Sequence, residues 1–111
     1  MANPNYIFTG VPTATVRIVV GDAAQSFAAA LIKSGNKNAI GAFIVCEDNS
    51  IRWCVGGAVP TTGVDGLGHI MAAATSIKLS NPKAIESFAF LNAAAQSIAV
   101  LQVTFEFELG A

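Results

Sequence analysis

The fold is decided most clearly by the stretch Leu101-Gln102-Val103-Thr104-Phe105-Glu106-Phe107-Glu108-Leu109. Apolar side chains occupy every second position, and polar or charged side chains fill the positions between them. Successive side chains of a β-strand point to opposite faces of the sheet. The stretch therefore predicts a strand with one face in a core and with Gln102, Thr104, Glu106 and Glu108 in water.

Other segments show the same alternation or short apolar runs between turn signals. In the first of them, Ala14, Val16, Ile18 and Val20 are expected to point inward, and Gly21-Asp22 ends the strand. The predicted strands cover residues 13–20, 39–47, 51–55, 76–80, 84–91 and 101–109, and residues 6–9 could add an edge strand.

With no βαβ rhythm, these segments predict an all-β fold, an antiparallel β-sandwich that is jelly-roll-like and has about seven to eight strands. Residues 1–12 are predicted to form an N-terminal arm or edge strand, and residues 13–111 a single sandwich domain. Residues 56–74, with five glycines and Pro60, form the longest predicted irregular segment.

The polar sequence Glu47-Asp48-Asn49-Ser50 lies between two of these strands and is typical of a hairpin connection. A hairpin with Cys46 opposite Ile51 would place Cys46 and Cys54 on opposite faces. Because a disulfide needs Cβ atoms about 4 Å apart, that register predicts two free thiols.

Residues 23–33 fit two structures. Their alanines, with Asp22 as a candidate N-cap and Phe27 and Leu31 at helical spacing, favour a helix. The segment Gln25-Ser26-Phe27 also fits a short strand that continues into a loop through residues 34–36. Of the two, we favour the strand and loop.

Charge is scarce in this chain. Six Lys and Arg and seven Asp and Glu make up 12% of the residues, against about one-quarter in ordinary domains. The basic residues form no cluster, which argues against nucleic acid and anionic lipid as partners. The uncharged residues 87–105 follow a period of two, as in a strand, a turn and a second strand, rather than filling a membrane helix. Met1-Ala2-Asn3-Pro4-Asn5 lacks the pattern of a signal peptide, so the cytosol is the expected site of synthesis.

No residue pattern indicates catalysis, a metal or a cofactor. His69, Asp65 and Thr62 could form a notional triad, but they lie in one Gly-rich segment that gives no reason for the required geometry. His69 and the two cysteines match no zinc spacing. We expect His69 to bond backbone groups and the protein not to be an enzyme.

Interface candidates come from exposed apolar residues. Trp53 alternates with Ile51 and Val55, which favours a core position over an interface anchor. The N-terminal aromatics are better candidates because a terminal segment could reach a neighbouring molecule. The predicted interface residues are Tyr6, Phe8, Val11, Pro12, Pro60 and Leu67.

Several segments also carry a resemblance to known proteins. They are Ala42-Phe43-Ile44-Val45, Ile51-Arg52-Trp53, residues 56–61, Gly68-His69-Ile70, Ser76-Ile77-Lys78-Leu79, residues 85–90 and residues 101–105. In their order, they resemble small phage virion β-sandwich proteins often encoded near head genes. The chain departs from that pattern by inserting Val64-Asp65-Gly66-Leu67 before Gly68.

The resemblance implies a non-enzymatic capsid cement or decoration protein. Its partner would be the major capsid protein, and it would form a homo-oligomer, a dimer or trimer, with no cofactor. It would be made in the cytoplasm of the bacterial host and reside in the virion. The alternatives are a tail, neck or head-fibre component, or a carbohydrate-binding sandwich module for host attachment.

Overall fold

The computed structural model describes Phe8 and residues 10–108, and it consists of short strands with two small helices. The strands are β1 (Val11–Pro12), β2 (Val16–Val20), β3 (Gln25–Ser26), β4 (Lys33–Ser34), β5 (Lys37–Asn38), β6 (Gly41–Cys46), β7 (Ile51–Cys54), β8 (His69–Met71), β9 (Thr75–Leu79), β10 (Ala89–Asn92) and β11 (Ala99–Phe107). The helices are α1 (Ala29–Ile32) and α2 (Pro82–Ser87).

Two antiparallel sheets form the predicted all-β sandwich. In the first, β11 pairs with β1 and β2 along one side and with β6 along the other, and β6 pairs with β9. The second has the order β3-β10-β7-β8. A separate hairpin joins β4 and β5. Four of these strands have only two residues, which is why the structure has more strands than the sequence predicts.

The core lies between the two sheets and is rich in phenylalanine. The ring of Phe27 stacks on Phe88 with centroids 5.3 Å apart and meets the ring of Phe105 edge to face at 4.9 Å. Phe90 completes the cluster, 5.5 Å from both Phe27 and Phe88. Aromatic pairs at these distances add about 0.5–1.5 kcal/mol each beyond the area that they bury.

The alternation in β11 is confirmed for its apolar face but wrong for one of its acidic residues. Leu101, Val103, Phe105 and Phe107 are buried, whereas Glu106, predicted in water, is only 1% exposed.

Glu106 is buried because the residue opposite it, Gly41, leaves space for its side chain. The Nζ of Lys78 lies 2.6 Å from its Oε1, and the backbone N–H of Gly10 donates to its Oε2 at 2.6 Å. Phe8 lies beside this ion pair, with its ring 6.3 Å from Phe43. Phe8 and Gly10 thus lie against the outer face of the five-stranded sheet.

The predicted hairpin between β6 and β7 is wrong. Cys46 on β6 pairs with Leu101 and Thr75, and Ile51 on β7 pairs with Asn92 and Met71. Residues 47–50 therefore cross from one sheet to the other, so that both strands turn an apolar face toward the core. The two thiols are free, as predicted: Cys46 belongs to the core between the sheets, whereas the Sγ of Cys54 lies beside Gly68 on the outer face of the four-stranded sheet.

Other segments differ from their predicted extents, and the segment 56–74, predicted to be irregular, contains the strand β8. The strand predicted over residues 84–91 begins only at Ala89, because Asn81 caps α2 through its side chain and Pro82 stands at the first helical position. The strand predicted over residues 13–20 starts at Val16. Residues 23–33 contain both alternatives, the short strand β3 and the single turn α1.

Residues 87–105 form mainly β10, a turn and β11, in agreement with the prediction. Among the residues that the structure describes, no helix has the length and apolar character needed to cross a membrane.

Candidate functional site

The loop between β7 and β8 folds back onto the outer face of the four-stranded sheet. Thr61 and Leu67 close the second half of this loop, because Thr61 N–H donates to Leu67 O at 3.0 Å and Leu67 N–H donates to Thr61 Oγ1 at 2.7 Å. Gly68, at φ +122°, packs so closely on β7 that a Cβ would lie 3.2 Å from Arg52 Cβ and 3.3 Å from Cys54 Sγ. The loop therefore lies against the sheet rather than extending into solvent.

Arg52 is the charged residue beneath this loop, and it is only 8% exposed. Its Nη1 donates to Gly68 O at 2.9 Å, and its Nη2 donates to Gly63 O at 3.0 Å and to Val64 O at 3.5 Å. A guanidinium has five N–H donors, and the Nε of Arg52 has no partner among the described residues. No carboxylate of the described residues pairs with it, including Asp65 beside Val64.

Arg52 lies at the base of a cleft of about 600 Å³. Arg52 stands opposite Leu91 on β10 and Ile70 on β8, so these three side chains share the outer face of the sheet. The cleft is lined by Asn49, Ser50, Arg52, Gly63, Val64, Ile70, Ala93, Ala94, Ala95 and Ser97.

Backbone hydrogen bonds join the walls of the cleft. Ala93 bridges them, because its N–H donates to Ser50 O at 3.0 Å and its C=O accepts from Gly63 N–H at 3.0 Å. These bonds connect the turn after β10 to both the 47–50 connection and the loop above Arg52.

The turn after β10 is held from below by Asn92, which is fully buried. Its amide donates to Asp22 Oδ1 at 3.1 Å and to Ser97 O, and its Oδ1 accepts from Ala99 N–H at 3.2 Å. Asp22 also accepts from Gln96 N–H at 2.9 Å. These contacts order the wall that carries residues 93–95, so the cleft is pre-formed.

The rim of the cleft is aliphatic and exposed. Five of the eight exposed large apolar side chains in the described residues belong to residues 55–70. Of the residues that line the cleft, Val64 is 96% exposed and Ile70 58%; Leu67, in the same loop as Val64 but outside the lining, is 55% exposed. Exposed apolar groups gathered in one place mark interaction surfaces, whereas single ones are ordinary.

The predicted interface residues fall in three places. Tyr6 lies outside the described residues. Phe8 is half-buried against Phe43, and Val11 and Pro12 are exposed on β1, at the edge of the other sheet. The third place is the loop beside the cleft, where Leu67 is exposed, but Pro60 is buried and offers no surface to a partner.

Sequence reasoning missed the residues that make the cleft. Arg52 was the one available signal, since it is a charged residue inside an otherwise apolar strand segment. Val64, Ile70 and residues 93–95 carry no local signal, because they meet only through the pairing of β7 with β8 and β10.

The notional triad does not assemble around a nucleophile. His69 lies on β8, where its ring packs on Trp53 at a centroid distance of 4.7 Å. Among the described residues it forms no hydrogen bond with Asp65 or Thr62, nor the backbone bonds expected of it. Trp53 is half-buried and contacts Phe88 at 5.4 Å, as expected of a residue that faces the core.

Neither the thiols nor a metal cluster adds chemistry to the site. Cys46 donates from Sγ to Asn49 O at 3.1 Å, and burial, with a smaller contribution from the charge of Asp48, raises the pKa of its thiol. The thiol is therefore protonated and weakly nucleophilic at neutral pH. Within Phe8 and residues 10–108, no group of three or more His, Cys, Asp or Glu side chains is arranged to hold a metal ion.

Comparison of the chain with protein-family models, with characterised proteins and with solved structures found no significant match.

Proposed function

We propose that the protein is a non-enzymatic structural component of a phage virion, a cement or decoration protein that binds the major capsid protein and stabilises the shell. The proposal combines the sequence pattern shared with small virion proteins, the low charge, and the aliphatic rim of the cleft. The exposed aliphatic rim of the cleft is the structural observation on which the proposed binding to the capsid protein depends.

The rim suits contact with another protein because its side chains are apolar and its backbone is ordered. A pre-formed surface loses little conformational entropy when it binds. The walls of the cleft are joined through Ala93, and Asn92 holds the turn beneath it. Complete burial of Val64, which is 96% exposed in the free chain, would contribute about 1.5–3 kcal/mol, and burial of Leu67 and Ile70, which are 55% and 58% exposed, about half as much each.

A shell presents its binding site many times, so modest interfaces add up to a large stabilisation of the particle. The symmetry of the shell favours symmetric ligands, and we propose a homodimer or homotrimer as the form that binds. Virion assembly would follow synthesis in the cytoplasm of the bacterial host.

Two other functions use the same fold. A tail, neck or head-fibre component would have about a dozen copies per particle rather than hundreds. A carbohydrate-binding module would need exposed aromatic platforms, but every described aromatic side chain is buried or half-buried. The cement function is therefore favoured over carbohydrate binding.

Quantitative mass spectrometry of purified particles of the phage that encodes the chain tests the proposal. We expect hundreds of copies per particle, and particles that lack the protein should release DNA at lower temperature or lower osmotic stress. A count near twelve would move the protein to the tail or neck, and its absence from the particle would refute a virion function.

Variants test the surface itself. Val64→Asp together with Leu67→Asp should abolish binding to shells assembled without the protein. Val19→Asp is the matched control, because Val19 is also about half exposed but lies on β2, in the other sheet. Equal loss of binding in the control would show that the cleft is not the contact surface.

A further inference from the structure

We propose that Arg52 binds a carboxylate, and that the segment of the shell protein that docks in the cleft inserts an acidic side chain beside aliphatic ones. The identity of the partner rests on the proposed function, but the chemistry of the site rests on Arg52 alone.

The first argument is the charge of Arg52. A guanidinium is always protonated, and burying a cation away from water is costly unless it is paired and hydrogen-bonded. Here the charge is more than nine-tenths buried and meets only the carbonyls of Gly63, Val64 and Gly68. The ion pairs found among the described residues join Lys37 to Glu108 and Lys78 to Glu106, so Arg52 has no anionic partner in this part of the chain.

The second argument is the number of unused donors. Three carbonyl contacts occupy Nη1 and Nη2. Nε has no partner among the described residues but is covered by the loop at Gly66, whereas Nη1 has only one acceptor there and keeps a second donor for a ligand. Carboxylates are the oxygen acceptors that match the planar guanidinium best. An incoming carboxylate would therefore supply both the missing charge and the missing acceptor.

The third argument is access. Arg52 lines the cleft, and its volume of about 600 Å³ lies within the range of about 300–1,000 Å³ typical of ligand sites. A free carboxylate would leave most of this volume empty. Val64, Ile70 and residues 93–95 form apolar walls, which fit aliphatic side chains next to the acidic residue.

A titration of the full-length, ¹⁵N-labelled protein tests the site without the shell. The two probes are the peptides acetyl-Ala-Glu-Ala-amide and acetyl-Ala-Gln-Ala-amide at equal ionic strength, and the readout is the Nε–H resonance of Arg52. We expect a saturable shift with the glutamate peptide and at least about tenfold weaker binding of the glutamine peptide, since hydrogen bonds to charged groups are stronger. Equal binding of the two peptides, or no shift with either, would overturn the proposal.

Variants keep the test independent of folding. Arg52→Gln should remove the preference for glutamate, but it also removes the bonds that hold the loop. Val64→Asp leaves those bonds in place and puts a carboxylate at the mouth of the cleft, where it should weaken binding of the glutamate peptide about fivefold by repulsion. Val64→Asn is the matched control and should change it less than about twofold. An equal effect of Asp and Asn would contradict the proposal.

The peptide titration, together with the shell-binding and particle measurements, separates the two proposals. If the wild-type protein binds shells but shows no preference for glutamate, the inference about Arg52 fails and the cement function stands. If the glutamate peptide binds selectively but the chain is absent from particles, the carboxylate site stands and the cement function fails.

Discussion

Replacing Gly41 by alanine should destabilise the protein strongly, because the added methyl group would occupy the space of the Glu106 side chain. A Cβ on Gly41 would lie 2.6 Å from both Cγ and Cδ of Glu106. Gly41 begins β6 and pairs with Glu106 at the end of the ladder between β6 and β11, where Ile40 N–H also donates to Glu106 O at 2.9 Å, so a shift of either backbone would break these bonds. The carboxylate would have to leave its site, and Lys78 and Gly10 would lose their contacts with it.

The expected loss is about 3 kcal/mol. Overpacking in a core costs about 1–3 kcal/mol, and breaking a buried ion pair costs up to about 3–5 kcal/mol when one partner stays buried. Lys78 can reach water, because its side chain is 25% exposed, so the second contribution is reduced. Domains are stable by only about 5–15 kcal/mol, so the loss is a large fraction of the total.

Urea denaturation measures the effect. With a slope of about 1–3 kcal/mol per molar urea, Gly41→Ala should lower the midpoint by about 1 M or more. Gly21→Ala is the control, because a Cβ there meets nothing within 4 Å and no left-handed φ is involved. It should change stability by less than about 1 kcal/mol.

A double-mutant cycle identifies the cause. In a Glu106→Ala background the obstacle is gone, so adding Gly41→Ala should cost less than about 1 kcal/mol. A loss below about 0.5 kcal/mol for Gly41→Ala alone, or a full loss in the Glu106→Ala background, would refute the explanation.

Three further predictions concern single residues. Asn81→Ala removes the oxygen that accepts from Lys83 N–H at 2.8 Å, and calorimetry should show a loss of about 1 kcal/mol, with no loss arguing against the cap. Asn92→Ala leaves buried backbone groups of the turn without partners and should cost about 2–4 kcal/mol in urea denaturation; a loss under about 1 kcal/mol would show that the turn holds without it. Burial raises the pKa of the Cys46 thiol in the folded protein above that of an unfolded thiol, which is about 8.5. The stabilising contribution of the protonated Cys46 thiol is therefore complete below about pH 8.5 and is lost as the pH rises through the folded pKa. Stability measured from pH 7 to pH 10 should therefore fall more for the wild type than for Cys46→Ala, and parallel curves would contradict this.

The faces of the strands could be predicted from the sequence, but one charged position could not. Alternation places Leu101, Val103 and Phe105 in the core, because the direction of a side chain in a strand depends only on the local backbone. The same rule places Glu106 in water, but its burial depends on Gly41 and Lys78, which are distant in the chain. A single strand carries no signal for such partners.

The candidate site was predictable only in part. Of the predicted interface residues in the loop beside the cleft, Leu67 is exposed, whereas Pro60 is buried. Residues 93–95 look like an ordinary alanine run until β10 pairs with β7 and brings them beside Arg52.

The sequence by itself determined the all-β class, the inward face of each long strand and the scarcity of charge, since these follow from local geometry and composition. It also contained the cap of α2, in the adjacent residues Asn81 and Pro82. Only the tertiary structure decided that β6 and β7 belong to different sheets, that Glu106 is buried and that Arg52 lies in a cleft. These features depend on pairing between distant segments, which is settled by the packing of the whole chain rather than by any one stretch of it.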